Sequence, residues 1–209
     1  MKLPQEFYLE KDVVALAKRL IGKRIVTKID RVLTSGIITE TEAYAGAVDR
    51  ASHAYGGRLT ARTKTMFERG GISYVYLCYG IHHLFNFVTN QEGIPHAILL
   101  RGIHPEKGIP HMLERRNKLK VDKTLSAGPG TASQALGITT ALNGISLSGN
   151  KIWVEETGIV VPDEKIHVGP RIGVDYAKED AKLPYRFLVS GRELEKFYHG
   201  DTASRRKTL

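Results

Sequence analysis

The chain has 209 residues, 42% hydrophobic and 25% charged, with 31 Lys and Arg against 22 Asp and Glu for a formal net charge of +9. That length suffices for one large domain or two small ones, and the composition excludes collagen, long disorder and a disulfide-built miniature fold. The single cysteine, Cys78, excludes an intramolecular disulfide and any site built from several thiolates, and a reducing, cytoplasmic setting is expected.

Asp12 followed by Val13, Leu16, Ala17, Leu20 and Ile21 has the spacing of an amphipathic helix, with Gly22 placed to stop it. The segments 24–29 and 32–44, rich in Ile, Val and Thr, read as a hairpin turning at Asp30-Arg31. Residues 45–73 are glycine-rich, carry Arg58, Arg62, Lys64 and Arg69, and lack a clear hydrophobic period. A long irregular or short-helical connection is expected there, and such connections are commonly functional. Segments 72–77 and 84–90 read as strands around an aromatic-tipped turn at 78–83, and 96–103 as a buried strand carrying Arg101.

From Pro105 to Lys123 the sequence has helical stretches and its densest basic run, the usual pattern of a solvated helix face. Gly128-Pro129-Gly130-Thr131-Ala132-Ser133 reads as a loop feeding a helix at Gln134, and 152–156, 166–174 and 186–189 as short strands. No repeat or composition break marks a boundary, so a single domain is expected over 1–209, with 199–209 a polar tail. No stretch approaches the ~18–20 apolar residues that span a bilayer, and the opening MKLPQEFYLEKDVV does not read as a secretory signal.

Alternation along 38–44 sends Glu40, Glu42 and Tyr44 to one face and Thr41 and Ala43 to the other. Paired glutamates on a strand are most often solvated. The alternative is a carboxylate that deprotonates a water beside a reacting carbon, and spacing alone does not choose between Glu40 and Glu42. Tyr74, Tyr76 and Tyr79 fall within six residues. Strand tyrosines are commonly core, yet aromatic faces near arginines also stack nucleobases, and an aromatic at a turn tip can wedge between base pairs. A basic excess favours polyanions without specifying one. The eight histidines show no zinc spacing, and no Walker loop, serine elbow or dinucleotide fingerprint is present, so neither metal nor cofactor is expected.

Taken in order, Glu40-Thr41-Glu42-Ala43-Tyr44, Ala51-Ser52-His53, Gly56-Gly57-Arg58-Leu59-Thr60-Ala61-Arg62, Met66-Phe67, Tyr74 through Gly80 and Asn86 form one pattern. It continues through Leu99-Leu100-Arg101, Gly128-Pro129-Gly130, Gln134-Ala135-Leu136 and Pro170-Arg171-Ile172-Gly173-Val174. Over about residues 10–192 the chain resembles the alkyladenine (3-methyladenine) DNA glycosylases of the vertebrate-enzyme type. The resemblance implies an α+β single domain: a curved, mostly antiparallel sheet with flanking helices and a protruding β-hairpin, similar to the C-terminal domain of methionyl-tRNA formyltransferases.

It further implies a monofunctional glycosylase, without cofactor, that flips alkylated or deaminated purines from duplex DNA and hydrolyses the N-glycosidic bond. Glu42 then matches the catalytic glutamate, Arg101 the arginine that positions the water, and the Val174 carbonyl a third contact. Tyr44, His53 and Tyr76 match the base-binding pocket, Asn86 the amide that crowds undamaged guanine, and Tyr79 the intercalating tip. Arg58, Arg62 and Thr131 match backbone-contacting positions, Thr131 standing where mammalian members carry a basic residue. The implied partner is double-stranded DNA holding damaged purines, with the chain monomeric, cytoplasmic and associated with the nucleoid. The competing reading is a nucleic-acid-binding module of the same fold without turnover.

Overall fold

A computed structural model describes residues 1–198; the expected tail at 199–209 lies outside the described residues. Its centre is an antiparallel sheet of eight strands: β1 (Arg24–Ile29), β2 (Val32–Tyr44), β3 (Ser73–Cys78), β4 (His82–Thr89), β5 (His96–Lys107), β6 (Ile152–Glu155), β7 (His167–Gly169) and β8 (Arg186–Leu188). The main path runs β3-β4-β5-β2-β1-β6, with β8 hydrogen-bonded to β2 and β7 to β8.

β2 organises the sheet. Its first half pairs with β1, Glu40–Glu42 pair with β8, and β5 follows it along the other edge. Register shifts interrupt the β2–β5 ladder on both sides of Glu40. Bulges increase local twist, and here they curl the sheet where the two glutamates lie. Gly102 faces Glu40 at this point. A Cβ there would come within 3.0 Å of Thr39 Oγ1 and 3.3 Å of Glu40 Cβ, so glycine permits the close approach.

Among the described residues four α-helices flank the sheet: α1 (Val13–Arg19), α2 (Ile109–Arg115), α3 (Pro129–Ala135) and α4 (Gly191–Tyr198). Asp12 caps α1 as its position predicts, its carboxylate accepting from the Val14 and Ala15 amides at 2.9 Å. Strand alternation then divides the sheet into two faces. Ala43, Val75, Phe85, Phe87, Ile98 and Leu100 join the main core, while Thr41 Oγ1 donates to the Ala17 carbonyl of α1 at 2.8 Å. The opposite face carries Tyr74, Val88 and Ala97 and is covered by Ala54, Met66 and Phe67 from the long 45–73 connection. That connection holds three short 3-10 turns, Gly46–Val48, Tyr55–Gly57 and Lys64–Phe67, in keeping with the irregular reading of its sequence.

Several boundaries differ from the sequence expectation. The loop expected at 128–133 is the start of α3: Gly128 at φ 120° precedes Pro129 at the first helical position, a residue suited to helix entry. β5 continues past 103 to Lys107, with Pro105 tolerated beside a register shift. The strand expected over 166–174 stops at Gly169, and 170–174 leave the sheet toward the opposite face. The six-residue turn at 78–83 tightens to the three residues Tyr79-Gly80-Ile81, because β3 runs to Cys78 and β4 begins at His82. The basic run is not simply a solvated face: Arg115 donates to the Ala135 carbonyl of α3 at 3.0 Å and Arg116 to the Leu125 carbonyl of the connection before it at 3.1 Å. Among the described residues no helix is long and apolar enough to cross a membrane.

Candidate active site

The sheet face turned away from α1 opens into a cleft of about 430 Å³, within the ~300–1,000 Å³ typical of small-molecule sites. Tyr44, His53, Tyr74, Tyr76, Asn86, Arg101 and Val174 all border it, and so does Tyr79 at its mouth. The alternation that sends even-numbered residues of β2, β3 and β4 to this face also sends odd-numbered Leu99 and Arg101 of β5 there. Residues singled out from the sequence are thereby brought to one concavity from four strands and three connections.

Glu42 lies directly behind this surface, with 0% of its side chain exposed. The strand-face solvation that is common for glutamates therefore does not hold here. Its Oε1 accepts the Ile172 amide at 2.8 Å and lies 3.3 Å from Arg101 NH1, and its Oε2 accepts the Tyr44 hydroxyl at 2.8 Å. Burial raises the Glu42 pKa, and the Arg101 charge, the Ile172 N–H and the Tyr44 hydroxyl pull it back. A carboxylate offers about four lone-pair sites; with three engaged, one on Oε2 is left.

Glu40 plays a different part. Its Oε1 accepts from Arg101 Nε at 2.9 Å and from Arg186 NH1 at 3.1 Å, so two guanidinium groups separate it from a role at the cleft. The division between Glu40 and Glu42, which spacing leaves open, is made by β8, whose Arg186 reaches Glu40. Burial opposes the Arg101 charge, but Glu42 and Glu40 together hold its pKa above the ordinary value.

The aromatic wall is Tyr74, Tyr76 and His53. His53 meets the Tyr76 ring edge-on, with centroids 4.7 Å apart, and its Nδ1 lies 3.0 Å from the Tyr74 hydroxyl. Burial first, then the Arg62 charge, lowers the His53 pKa to about 4. Because the unfolded chain takes up a proton near pH ~6.5 and the folded chain does not, stability rises with pH between about 4 and ~6.5 and is lost on acidification. His53→Gln should flatten that part of the stability profile, read by urea unfolding at pH 5 and pH 7. An undiminished slope would show that His53 does not carry it.

Asn86 is buried, its amide donating to the Tyr74 and Leu84 carbonyls at 3.1 and 3.3 Å. Val174 borders the cleft, and its carbonyl accepts the Ala177 amide at 2.8 Å, which leaves a second lone pair. Tyr79 is 92% exposed at the tip of the β3–β4 hairpin. Tyr79 and Gly80 have φ 50° and 73°, and the Ile81 amide donates to the Cys78 carbonyl at 3.1 Å, a type I′ turn. Positive φ is unusual for a bulky residue, and here it holds the ring outward.

Arg58 and Thr131 stand apart from the aromatic wall. Arg58 borders an adjoining polar cleft with Arg50 and Arg62, and Thr131 Oγ1 donates to the Gly128 carbonyl at 2.9 Å. Arg62 borders both that polar cleft and the aromatic one, its guanidinium packed 4.9 Å from the Tyr76 ring centroid.

Two contributors carry no role in the sequence reading. Arg171, 0% exposed, is paired through both terminal nitrogens with Asp49 and packs 4.8 Å from the Tyr44 ring centroid. The next residue, Ile172, gives its amide to Glu42. The signal was the run Pro170-Arg171-Ile172-Gly173-Val174, but its assignment to a strand concealed that the backbone turns into the site. Among the described residues no group of three His, Cys, Asp or Glu is arranged to hold a metal ion.

The profile of the family described as methylpurine-DNA glycosylase matches residues 6–193. A Chlamydia felis protein, provisionally named a 3-methyladenine DNA glycosylase, is 46% identical over 93% of this chain and 99% of its own. Proteins carrying the same provisional name are 44% identical in Bacillus cytotoxicus, over 90% of this chain and 95% of theirs, and 43% in Bacillus thuringiensis, over 91% and 97%. With a match that runs through both halves of the sheet and the connection covering the cleft, the chain belongs to the methylpurine-DNA glycosylase family of DNA-repair enzymes.

Proposed function

We propose that the protein is a monofunctional DNA glycosylase that flips alkylated or deaminated purines out of duplex DNA and hydrolyses their N-glycosidic bond, starting base excision repair. The candidate substrates are 3-methyladenine, 7-methylguanine, hypoxanthine and ethenoadenine. The observation that carries this reading is the buried Glu42 carboxylate, held by Tyr44, Arg101 and the Ile172 amide behind an aromatic cleft. A binding module without turnover has no use for a desolvated carboxylate at that place.

In this reading a water occupies the remaining Oε2 site of Glu42, with Arg101 and the Val174 carbonyl fixing its orientation. The water oxygen attacks the sugar C1′ as the C1′–N bond breaks. Glu42 takes the water's proton, and the bond electrons leave with the base. Positive charge grows on the sugar in the transition state, and a buried carboxylate stabilises it more strongly than water would. Tyr44, His53 and Tyr76 form the base pocket, on whose rings the flipped purine stacks, and a purine made cationic by alkylation leaves without being protonated. Neutral lesions depend instead on hydrogen bonds and on protonation of the leaving base. The Asn86 amide, fixed by two carbonyls, stands against the amino group of guanine. Among the described residues no lysine borders the cleft, in keeping with attack by water rather than by an amine.

Tyr79 is the wedge that fills the space vacated by the flipped base, and Arg58 and Thr131 face the phosphates. Tyr79→Ser should lower excision at subsaturating enzyme by about tenfold, the scale of one lost base–aromatic stack of ~1–3 kcal/mol. Because the ring contacts little of the fold, the Tm should not move. Base-flip fluorescence that is unchanged by the substitution would remove the wedge.

The deciding experiment treats a set of duplexes, each holding one of the four lesions, with the protein and then with alkali. Strand breaks that appear only after alkali, at one or more lesions and not at undamaged purines, are expected. No break at any lesion would overturn the proposal, and breaks before alkali would point to lyase chemistry.

A further inference from the structure

Arg62, whose sequence position matches a backbone-contacting residue, also touches the walls of the base cleft. The guanidinium packs over the Tyr76 ring, with a nitrogen 3.2 Å from His53 Nε2. An arginine is always a donor, so His53 Nε2 is the acceptor and bears no proton. The ring proton of the neutral imidazole is therefore on Nδ1, where it meets the Tyr74 hydroxyl at 3.0 Å. Arg62 thus sets the hydrogen-bond direction along His53 and Tyr74. The same charge opposes the upward push that burial gives the hydroxyl pKa values of Tyr74 and Tyr76.

This has a chemical consequence for what the cleft admits. The electron-rich face of Tyr76, on which a purine cation would gain most, already has a cation over it. A purine alkylated at N3 or N7 brings a second positive charge toward that guanidinium. Alkylation at N7 also removes the acceptor that a guanidinium would address. A neutral purine with an O6 or free N7 lone pair brings no charge and offers an acceptor. Resting on the glycosylase reading above, we infer that Arg62 is a specificity residue of the base pocket, favouring neutral, acceptor-bearing purines over purine cations.

The test compares single-turnover release of hypoxanthine and 7-methylguanine from otherwise identical duplexes by the wild type, Arg62→Met and Arg62→Lys. Arg62→Met should raise the 7-methylguanine to hypoxanthine rate ratio by about tenfold, the scale of a lost hydrogen bond to a charged group. Arg62→Lys, which keeps the charge but not the planar fork over Tyr76, should give a ratio between those of the wild type and Arg62→Met. Equal losses on both lesions with a shallower salt dependence would make Arg62 a phosphate contact and overturn the inference. An unchanged ratio would overturn it as well. Equilibrium binding of the same duplexes in a Glu42→Gln background reads the preference without turnover. Absence of release by every form, the wild type included, would thus count against the glycosylase reading, while the binding ratio would still decide the role of Arg62.

Discussion

Glu42→Gln should lower excision of every lesion by about 10²–10⁴-fold, the range associated with loss of a positioned general base, while Kd for a lesion-bearing duplex stays within about threefold. The substitution is nearly isosteric. The carbonyl of the introduced side chain can still accept the Ile172 amide, and the Tyr44 hydroxyl can turn to accept from its NH₂ group. Arg101 retains Glu40 at 2.9 Å, so no buried guanidinium is left alone. The stability sign sharpens the experiment. A carboxylate whose folded pKa is raised binds a proton more tightly in the native than in the unfolded chain, so its stabilising contribution is present at acid pH and is lost as pH rises through the raised value. A glutamine side chain carries no such loss, and the variant should unfold at pH 7 no more easily than the wild type. A Tm that falls together with the activity would mean that Glu42 is structural. The wild-type rate on hypoxanthine should fall as pH drops through the raised Glu42 pKa, since the protonated carboxyl cannot take a proton from water. The residual rate of Glu42→Gln should lack that limb.

What the sequence makes legible follows from period and type. Alternation along 38–44 places Glu42 and Tyr44 together because only one pleat is compatible with burying Thr41 and Ala43 under α1. The Asp30-Arg31 turn is visible because two β-rich runs leave only two residues between them, and both take positive φ. Contacts between residues far apart in sequence are not legible in this way. Nothing near Glu40 announces that Arg186 will reach it from β8. The run 170–174 has the composition of a strand, yet it leaves the sheet because its hydrogen-bonding groups serve the site: Ile172 N–H faces Glu42, and Arg171 turns back to Asp49. Arg62 illustrates the same limit. Nothing in the sequence shows that Arg62, carried by the 45–73 connection across β3, lies over Tyr76.

Asp49→Ala should be the most destabilising single change at the site. Arg171 and Asp49 are both buried, with side chains 0% and 1% exposed, and the arginine also donates to the Ala43 and Asp180 carbonyls at 2.9 and 3.1 Å. Removing one partner of a buried ion pair strands the other charge and costs ~3–5 kcal/mol. At ~2–4 °C per kcal/mol for a domain of this size, the Tm should fall by roughly 6–20 °C. Asp49 also accepts the Ala45 and Ala51 amides, each at 3.0 Å, so the start of the 45–73 connection loosens with it. Asp49→Ala with Arg171→Met removes both charges, and part of the lost Tm should return because no unpaired charge stays buried. Activity should not return with it. Arg171 backs the Tyr44 ring at 4.8 Å and precedes the Ile172 amide, so without it two of the three groups that hold Glu42 lose their support. Recovery of stability without recovery of excision would separate the two tasks of this pair. Full recovery of both would show that Tyr44 and Ile172 are held by other contacts, and a Tm within about 2 °C of the wild type for Asp49→Ala alone would show that the pair is not what anchors 170–174 to the sheet.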